Sequence, residues 1–476
     1  MSKELGMTIK KAENFSEWYL ELVKKTDLAD YACIDGFIVF KPYAYAIWEN
    51  IQKIVDSRFK EMGIENAYFP LLIPEHLLEK EASHFEGFTP EVAWVTQVGQ
   101  SKLGERLAIR PTSETIIYDS YSKWIRSWRD LPLRLNLWNS VLRWEFKHAK
   151  PFLRTREFLW NEGHTVFATQ KEAEKECAEI LEMYDSFCKE YLALPGIKGR
   201  KTDKEKFAGA IYTEAIEFIM PDGKVIQGPD VHFDGQNFAK AFDIKFKDKN
   251  EKEQFVYQNT WALTTRMIGI MIANHSDNKG LILPPNIAPT QIVIIPIIMA
   301  ENKKTVLNEA KKVKNKLKKF RVKLDDREQY SPGFKFNEWE LKGIPIRLEI
   351  GPRDIENKQI TVVRRDTSEK INVKITDLNK EISKLIKDIH KNLYERAEKF
   401  SNEHTKTVKT YDELKKYVIG NRIKACWCGS RECENKVKEE TTAKISCIPL
   451  VQDKIFSKCV KCEKEAKHVV IFAKSY

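Results

Sequence analysis

Leu142-Arg143-Trp144-Glu145-Phe146 ends a strand-like segment that starts at Leu135. A second strand-like segment follows after a short loop and opens with Arg154 and Arg156. Residues two apart on a strand face the same side. Arg143 and Glu145 are therefore predicted to project together, and so are Arg154 and Arg156. The two segments predict a hairpin with arginines and one carboxylate at its rim.

This hairpin has the side chains that a nucleotide ligand requires. Arginine forks hold phosphate oxygens in two-point contact, and a carboxylate can accept a hydrogen bond from an exocyclic amine. The composition therefore favours a nucleoside triphosphate. An exposed hairpin with ordinary surface ion pairs explains the same residues equally well, and this segment alone does not separate the two interpretations.

The overall composition is typical of a globular protein. The chain has 476 residues, 42% hydrophobic and 31% charged, which predicts two or three domains. No stretch reaches the roughly 20 apolar residues that span a bilayer, and the N-terminus has no signal-peptide core. We therefore expect a cytoplasmic protein with no membrane partner. The net charge of +11 favours a polyanionic partner, although solvated lysines between Lys303 and Lys323 explain much of it.

Cysteines concentrate in the last part of the chain, which holds six of the nine. An odd count without a secretory signal indicates a reducing compartment, where clustered cysteines are more often metal ligands than disulfides. The pairs Cys428-x4-Cys433 and Cys459-x2-Cys462 suit a tetrahedral Zn²⁺ site with no open position. Reduced structural cysteines are the alternative. Two further cysteines compete as ligands: Cys426 and Cys447.

Three domains are predicted along the chain. Residues 1–283 combine amphipathic helices, the first from Phe15 to Lys25, with strands that follow one another directly. That order is typical of an α+β domain with an antiparallel sheet. Beyond Leu283-Pro284-Pro285-Asn286, residues 284–400 follow a β-α-β-α order, which predicts an α/β domain. Residues 401–476 have short strands and little core, so bound metal is expected to supply folding energy.

Two further segments contain candidate ligand-binding residues. Thr112 and Glu114 lie at the start of a helix, where a carboxylate can pair with an ammonium or imino group, although an N-cap followed by an acid stabilises any helix. Arg266 begins an apolar helix, and a charge there needs a partner. Either an internal acid or an anionic ligand would serve, and the hairpin upstream favours the ligand.

Together these residues resemble the class II aminoacyl-tRNA synthetases. The Arg143 hairpin is similar to their motif 2, Thr265-Arg266 to motif 3, and Gly63 to Pro70 to the dimer-forming motif 1. The resemblance covers nearly the whole chain and is closest to the prolyl-tRNA synthetase family in its compact archaeal and eukaryotic-like form. The segments that narrow it are Thr112-Ser113-Glu114, Phe158 to His164, Asp326-Arg327, Pro332 to Phe336 and Gly343 to Glu349.

The resemblance implies a homodimeric enzyme that attaches proline to tRNA(Pro) through a prolyl-adenylate, using ATP with Mg²⁺ and no DNA partner. Attack by the substrate's own carboxylate needs no general base, so catalysis would rest on positioning and charge stabilisation. The implied proline-binding residues are Phe88, Thr112, Glu114, Arg143, Trp160, Phe207 and His232. The implied ATP-binding residues are Arg143, Glu145, Arg154, Thr155, Gln227, Thr264 and Arg266, with Arg143 and Arg266 catalytic.

The resemblance also assigns the other two domains. It implies that the α/β domain binds the anticodon through Arg347, Glu349, Arg353 and Asp354, since such side chains can bind the edges of unstacked RNA bases. Surface ion pairs explain any one of these four equally well. The resemblance selects Cys428, Cys433, Cys459 and Cys462 as the ligands of a structural Zn²⁺.

The sequence departs from the family pattern beside the proline pocket. Many relatives have Thr-Ser-His where this chain has Asp230-Val231-His232, so a carboxylate is expected near the pocket, paired with a ligand or with His232. Ser276 replaces a usual glycine. Because of Asp230, a synthetase for another small amino acid, such as threonine, is an alternative interpretation. A non-catalytic tRNA-binding paralogue is the other alternative, but it would be expected to lack Arg143, Glu145 or Arg266.

Overall fold

The first part of the chain combines helices with the strands of an antiparallel sheet. The structure, a computed structural model, describes residues 6–82, 91–145, 148–298 and 301–476. Its elements up to residue 275 are α1 (Phe15–Lys25), β1 (Ala29–Tyr31), β2 (Ile38–Phe40), α2 (Pro42–Glu61), β3 (Glu65–Asn66), β4 (Leu72–Pro74), α3 (Glu75–Ala82), β5 (Trp94–Val98), β6 (Ser101–Ile109), α4 (Glu114–Trp124), β7 (Leu133–Leu142), β8 (Glu157–Phe167), α5 (Gln170–Leu192), β9 (Ile197–Arg200), β10 (Tyr212–Ile219), β11 (Val225–Gly235), α6 (Asn237–Phe242), β12 (Lys245–Lys247), β13 (Glu253–Phe255), β14 (Tyr257–Thr264) and α7 (Arg266–His275).

The remainder of the chain forms two smaller groups of elements. The first is β15 (Ile292–Pro296), α8 (Lys303–Lys316), β16 (Val322–Leu324), α9 (Pro332–Leu341), β17 (Ile346–Ile350), α10 (Pro352–Glu356), β18 (Gln359–Arg364), β19 (Lys370–Lys374) and α11 (Leu378–Glu403). The second is β20 (Thr405–Thr407), α12 (Tyr411–Tyr417), β21 (Arg422–Trp427), α13 (Arg431–Thr441), β22 (Lys444–Pro449) and β23 (His468–Ala473). Within the described ranges, no helix is long and apolar enough to cross a membrane.

An eleven-stranded sheet supports the first part, in the order β20-β21-β23-β22-β9-β10-β11-β14-β8-β7-β3. From β22 to β7 every neighbouring pair is antiparallel, while the edge strands β3 and β20 pair in parallel. The predicted α+β class is therefore confirmed. The predicted hairpin is also present, because β7 and β8 pair over their whole length from Leu142↔Glu157 to Leu133↔Val166.

One face of this sheet is sealed by helices, which leaves the other face for a ligand. Helices α1, α2, α5 and α7 share a buried cluster with this face. Trp48 and Phe59 of α2 belong to it together with Trp261 of β14, and the Phe59 and Trp261 ring centres are 4.7 Å apart. Gly163 on β8 permits this packing, because a Cβ there would overlap the Trp261 indole. Side chains alternate along a strand, so Trp160, Glu162 and His164 point to the opposite face.

The second group of elements is a five-stranded sheet in the order β16-β15-β17-β18-β19. Strand β15 is parallel to β16 and β17, whereas β18 and β19 are antiparallel additions. Helices α8 and α11 cover an apolar core built from this sheet. Arg365 joins the sheet to the end of α7 through two hydrogen bonds to Asp277, at 2.7 and 2.9 Å.

The last part of the chain has more core than its sequence suggested. Val437, Ile445, Val470 and Phe472 belong to a buried apolar cluster that also contains Cys433 and Cys459. Strand β22 pairs with β9, so this part extends the large sheet. The expectation of little core was wrong, because β21, β22 and β23 bury one face together against α13 although each strand is short.

Candidate active site

Two adjoining cavities lie on the open face of the large sheet. The large cavity, about 460 Å³, lies over β8, β11 and β14. The small cavity, about 160 Å³, shares Arg143, Glu145, Phe158, Thr264 and Arg266 with it. The predicted ligand-binding residues that line the large cavity are Thr112, Glu114, Arg143, Glu145, Trp160, Phe207, Gln227, His232, Thr264 and Arg266. Arg154 and Thr155 line the small cavity, and Phe88 lies outside the described residues.

Arg143 lies where the two cavities meet. It directly follows β7, and its backbone N–H donates to the carbonyl of Arg156 at 2.8 Å. Its Nε donates to the carbonyl of Pro111 at 2.9 Å, and its guanidinium lies 5.5 Å from the ring centres of both Phe158 and Trp160. Among the described residues, its two terminal nitrogens have no hydrogen-bond partner. The side chain is thus fixed at Nε and presents a two-pronged donor to the cavities.

The second half of the hairpin differs from the prediction. Arg154 lines the small cavity and donates to the carbonyl oxygen of Tyr476. Arg156 instead lies 4.0 Å from the Trp144 ring and donates to the carbonyl of Asp35 at 2.8 Å. The two arginines do not project together, because β8 begins only at residue 157 and the alternation of a strand does not apply before it.

Arg266 is buried at the start of α7 and lines both cavities. It donates to the carbonyls of Gln227 at 3.1 Å and Leu153 at 3.3 Å. Within the described part of the chain no carboxylate lies within salt-bridge distance of it. Burial and then the charge of Arg154 lower the pKa of Arg266 to about 10. An anionic ligand bound between the two guanidiniums would relieve this destabilisation.

Thr112 and Glu114 occupy one end of the large cavity. The Thr112 hydroxyl donates to the Glu114 carboxylate, and both side chains are buried. Helix α4 begins at Glu114, but its N-cap Ser113 makes no side-chain capping bond to the helix backbone. The Ser113 hydroxyl and backbone N–H instead donate to Glu162 on β8. The simple N-cap explanation of this segment therefore does not hold.

His232, Phe207 and Trp160 line the rest of the large cavity. The His232 ring lies 4.9 Å from the Phe207 ring, and its Nδ1 is 2.7 Å from the Thr213 hydroxyl. Burial lowers the pKa of His232, although the carboxylate of Asp230 acts in the opposite direction. Trp160 is oriented by its indole N–H, which donates to Asn139 Oδ1 at 2.7 Å.

Asp230, the departure from the family pattern, is held within the protein. Its Oδ2 accepts a hydrogen bond of 2.5 Å from the Gln227 amide and lies 3.7 Å from His232 Nε2. This carboxylate therefore bridges a residue predicted for ATP and a residue predicted for proline.

Sequence reasoning missed Asn139, Glu162 and Thr213, which hold the predicted residues in place. The alternation of side chains along a strand could have identified Glu162. Glu162 lies two residues from both Trp160 and His164 in a strand-like run, which places it on the ligand face of the sheet.

The predicted metal ligands come together in the last part of the chain. The sulfur atoms of Cys428, Cys433, Cys459 and Cys462 all lie within 4.8 Å of one another, and the Cys428 sulfur is 3.7 Å from those of Cys433 and Cys462. All four are free thiols. The two competing cysteines are buried elsewhere: Cys426 packs against Ala466 and Val469, and Cys447 lies against Gly199.

The predicted anticodon residues lie within β17 and on α10. Arg347 donates to Glu349 at 2.8 and 2.9 Å and lies 4.5 Å from the Phe336 ring. Asp354 accepts from the backbone N–H of Gly351 at 2.9 Å, and Arg353 is exposed. Three of the four are therefore engaged in local contacts within the domain.

The antiparallel sheet, with Arg143 at the end of β7 and Arg266 at the start of the helix after β14, agrees with the arrangement expected of a class II aminoacyl-tRNA synthetase. The family model "tRNA synthetase class II core domain (G, H, P, S and T)" matches residues 94–275. The models "Anticodon binding domain" and "Prolyl-tRNA synthetase, C-terminal" match residues 291–385 and 411–476.

Comparison with individual proteins narrows the class to one family. A proline–tRNA ligase of Alkaliphilus oremlandii is 53% identical, over 97% of this chain and 96% of the relative. Proline–tRNA ligase 2 of Bacillus thuringiensis subsp. konkukian is 49% identical over the full length of both chains. The prolyl-tRNA synthetase of Cryptosporidium parvum, crystallised with halofuginone and AMPPNP, is 43% identical with a TM-score of 0.94, and the match covers 100% of this chain and 98% of that one. The chain belongs to the prolyl-tRNA synthetase family, and its reaction is the ATP-dependent charging of tRNA with proline.

Proposed function

We propose that Arg143 joins the two halves of the reaction by binding the carboxylate of proline and the α-phosphate of ATP at once. The observation that carries this proposal is the position of Arg143 in the lining of both cavities, where Nε is fixed by Pro111 and the terminal nitrogens have no hydrogen-bond partner among the described residues. A proline carboxylate oxygen would attack the α-phosphorus, and pyrophosphate would leave. A hydroxyl at the 3′ end of tRNA would then attack the adenylate's carbonyl carbon, and AMP would leave.

ATP would occupy the small cavity and the adjoining end of the large one. Arg154 and Arg266 would bind the triphosphate, because both line the small cavity and burial lowers the pKa of both guanidiniums, a cost that a bound polyanion would offset. Glu145 and Thr155 would contact adenine, and Gln227 and Thr264 would complete the site. Mg²⁺ bound with ATP would neutralise charge on the phosphates, while the residues of the chain position the attacking and leaving groups.

Proline would occupy the end of the large cavity that contains Thr112 and Glu114. The Glu114 carboxylate would pair with the imino group of proline. The Thr112 hydroxyl would either accept a hydrogen bond from the imino group or donate one to the Glu114 carboxylate. Trp160, Phe207 and His232 would surround the ring, together with Phe88, which lies outside the described residues.

We also propose a structural Zn²⁺ at Cys428, Cys433, Cys459 and Cys462. A tetrahedral thiolate site with Zn–S bonds of about 2.3 Å requires sulfur atoms about 3.8 Å apart. Two of the six sulfur separations are 3.7 Å and all six lie within 4.8 Å, so the cluster is close to the size that such a site requires. Four thiolates leave no open position, so the metal would stabilise this part of the chain and take no part in the reaction.

The proposed roles of the three domains, of the anticodon residues and of the dimer interface follow from where these parts lie in the chain and the fold. Residues 1–283, 284–400 and 401–476 would act as catalytic, anticodon-binding and zinc-binding domains in the cytoplasm. Arg347, Glu349, Arg353 and Asp354 would bind the anticodon of tRNA(Pro). Two chains would pair at the sheet edge next to β3, where Tyr68 is 73% exposed and Leu71 is 41% exposed; exposed apolar side chains at an edge suit a protein interface.

Pyrophosphate exchange measured with each of the twenty amino acids tests this function. We expect strong ATP-dependent exchange with proline and weak exchange with smaller amino acids that fit the same cavity. Exchange with threonine above that with proline would contradict the assignment and would make Asp230 the residue responsible.

A further inference from the structure

Glu162 is a buried carboxylate on β8 that the reaction described above does not use. Its Oε2 accepts from the backbone N–H of Ser113 at 3.1 Å and lies 3.2 Å from His164 Nε2. Its Oε1 accepts from the Asn139 amide at 2.7 Å and from the Ser113 hydroxyl. Three donors and a ring nitrogen of His164 therefore converge on two oxygens, an arrangement that suits an ionised carboxylate, which only accepts hydrogen bonds.

The three donors, from Ser113 and Asn139, belong to both walls of the large cavity. Ser113 lies between Thr112 and Glu114, the residues proposed to bind the imino group. Asn139 holds the other wall, because its Oδ1 accepts the Trp160 indole N–H at 2.7 Å while its Nδ2 donates to Glu162. The indole has only a donor, so the orientation of the Asn139 amide is fixed. One carboxylate thus links the residues at the imino group with the residue beside the ring.

The environment keeps this carboxylate ionised. Burial alone would raise the pKa of Glu162, but the hydrogen bond and charge of His164 and the bonds from Asn139 and Ser113 outweigh it, and the pKa lies below its usual value. The Tyr118 hydroxyl lies 3.3 Å from Nδ1 of His164, so both ring nitrogens of His164 have polar neighbours.

We propose that Glu162 is a positioning residue that sets the distance between Trp160 and the segment Thr112 to Glu114, which would bind the imino group, and so determines the affinity for proline. The inference rests on the proposed function of the large cavity. Glu162 would not react or move a proton. It would hold Ser113 at one wall and Asn139 at the other, and so keep the cavity at the width of a five-membered ring.

Glu162→Gln tests the proposal, with Glu176→Gln as a matched control. Glutamine keeps the shape of the side chain but has one acceptor oxygen. Its NH2 group would therefore face a hydrogen-bond donor of Ser113 or Asn139 in place of an acceptor. Glu176 is equally buried and accepts from Arg134, Thr165 and Asn259, but it lies on α5 away from both cavities. In pyrophosphate exchange, KM for proline should rise about tenfold in Glu162→Gln, the loss expected for charge-assisted hydrogen bonds. KM for ATP should stay close to the parental value, and Glu176→Gln should alter the melting temperature alone.

A second variant keeps the test decisive if Glu162→Gln fails to fold. Ser113→Ala removes only the hydroxyl that donates to Glu162 and should raise KM for proline in the same direction by a smaller factor. An unchanged KM for proline in a folded Glu162→Gln, or in Ser113→Ala when the first variant does not fold, would overturn the proposal. An equal rise in Glu176→Gln would also overturn it. Failure of the proposed proline site itself would be distinct, because Glu114→Gln would then also leave KM for proline unchanged.

Discussion

Replacing Arg143 by lysine is expected to stop adenylate formation while the protein stays folded. Lysine keeps the charge but loses the planar fork and the Nε–H. The hydrogen bond from Nε to Pro111 contributes about 1 kcal/mol, and one lost charge-assisted bond to phosphate or carboxylate contributes about 3 kcal/mol. Together these predict a fall in the exchange rate of roughly a thousandfold.

Arg156→Lys is the matched control for this prediction. Arg156 belongs to the same hairpin, but it stacks on Trp144 and contacts Asp35 outside both cavities. Its replacement should lower the melting temperature and leave exchange close to that of the parental protein. The assay is proline-dependent pyrophosphate exchange, with circular dichroism to verify folding. An Arg143→Lys variant that exchanges pyrophosphate at a near-parental rate would refute the role given to this guanidinium.

Three further predictions concern other parts of the molecule. Purified protein should contain one Zn²⁺ per chain by elemental analysis, and zinc-free protein purified without chelators would contradict this. The Cys459→Ser, Cys462→Ser double variant should lose the metal and become protease-sensitive between β22 and β23. Deleting Tyr476 should raise KM for ATP, because its carbonyl contacts Arg154 and its hydroxyl donates to Asp222 at 3.0 Å; unchanged ATP kinetics would show that the contact is incidental. Alanine and cysteine should be activated weakly, since a missing methylene costs only about 1–3 kcal/mol of binding free energy. The chain should not hydrolyse Ala-tRNA, because the stretch from β8 to β14 is filled by the sheet and its helices and leaves no room for an editing domain; deacylation of Ala-tRNA above the spontaneous rate would contradict this.

The fold class could be predicted because the relevant signals are local. The helix from Phe15 to Lys25 is predicted at its observed bounds, since its apolar spacing lies within the segment and its N-cap, Asn14, directly precedes it. The hairpin of β7 and β8 could be predicted for the same reason. The core of the last part could not, because it arises from strands that are distant in sequence and bury their faces only together.

Contacts between the site residues were harder to predict than the residues themselves. Arg156 was expected beside Arg154, but the turn before β8 directs it to Trp144 instead. The sequence indicated a carboxylate at Asp230 without indicating that Gln227 would hold it. The convergence of Ser113, Asn139 and His164 on Glu162 depends on the register of β7 against β8 and on the position of α4, which no local pattern encodes.

The most direct test of the account is a crystal structure of the protein with a non-hydrolysable prolyl-adenylate analogue. The account predicts that the terminal nitrogens of Arg143 lie within hydrogen-bond distance of the α-phosphate position. It also predicts the imino nitrogen beside Glu114 and the adenine between Glu145 and Thr155. An analogue bound in this cavity with Arg143 turned away from the phosphate, or with the ring remote from Trp160, would contradict the central claim.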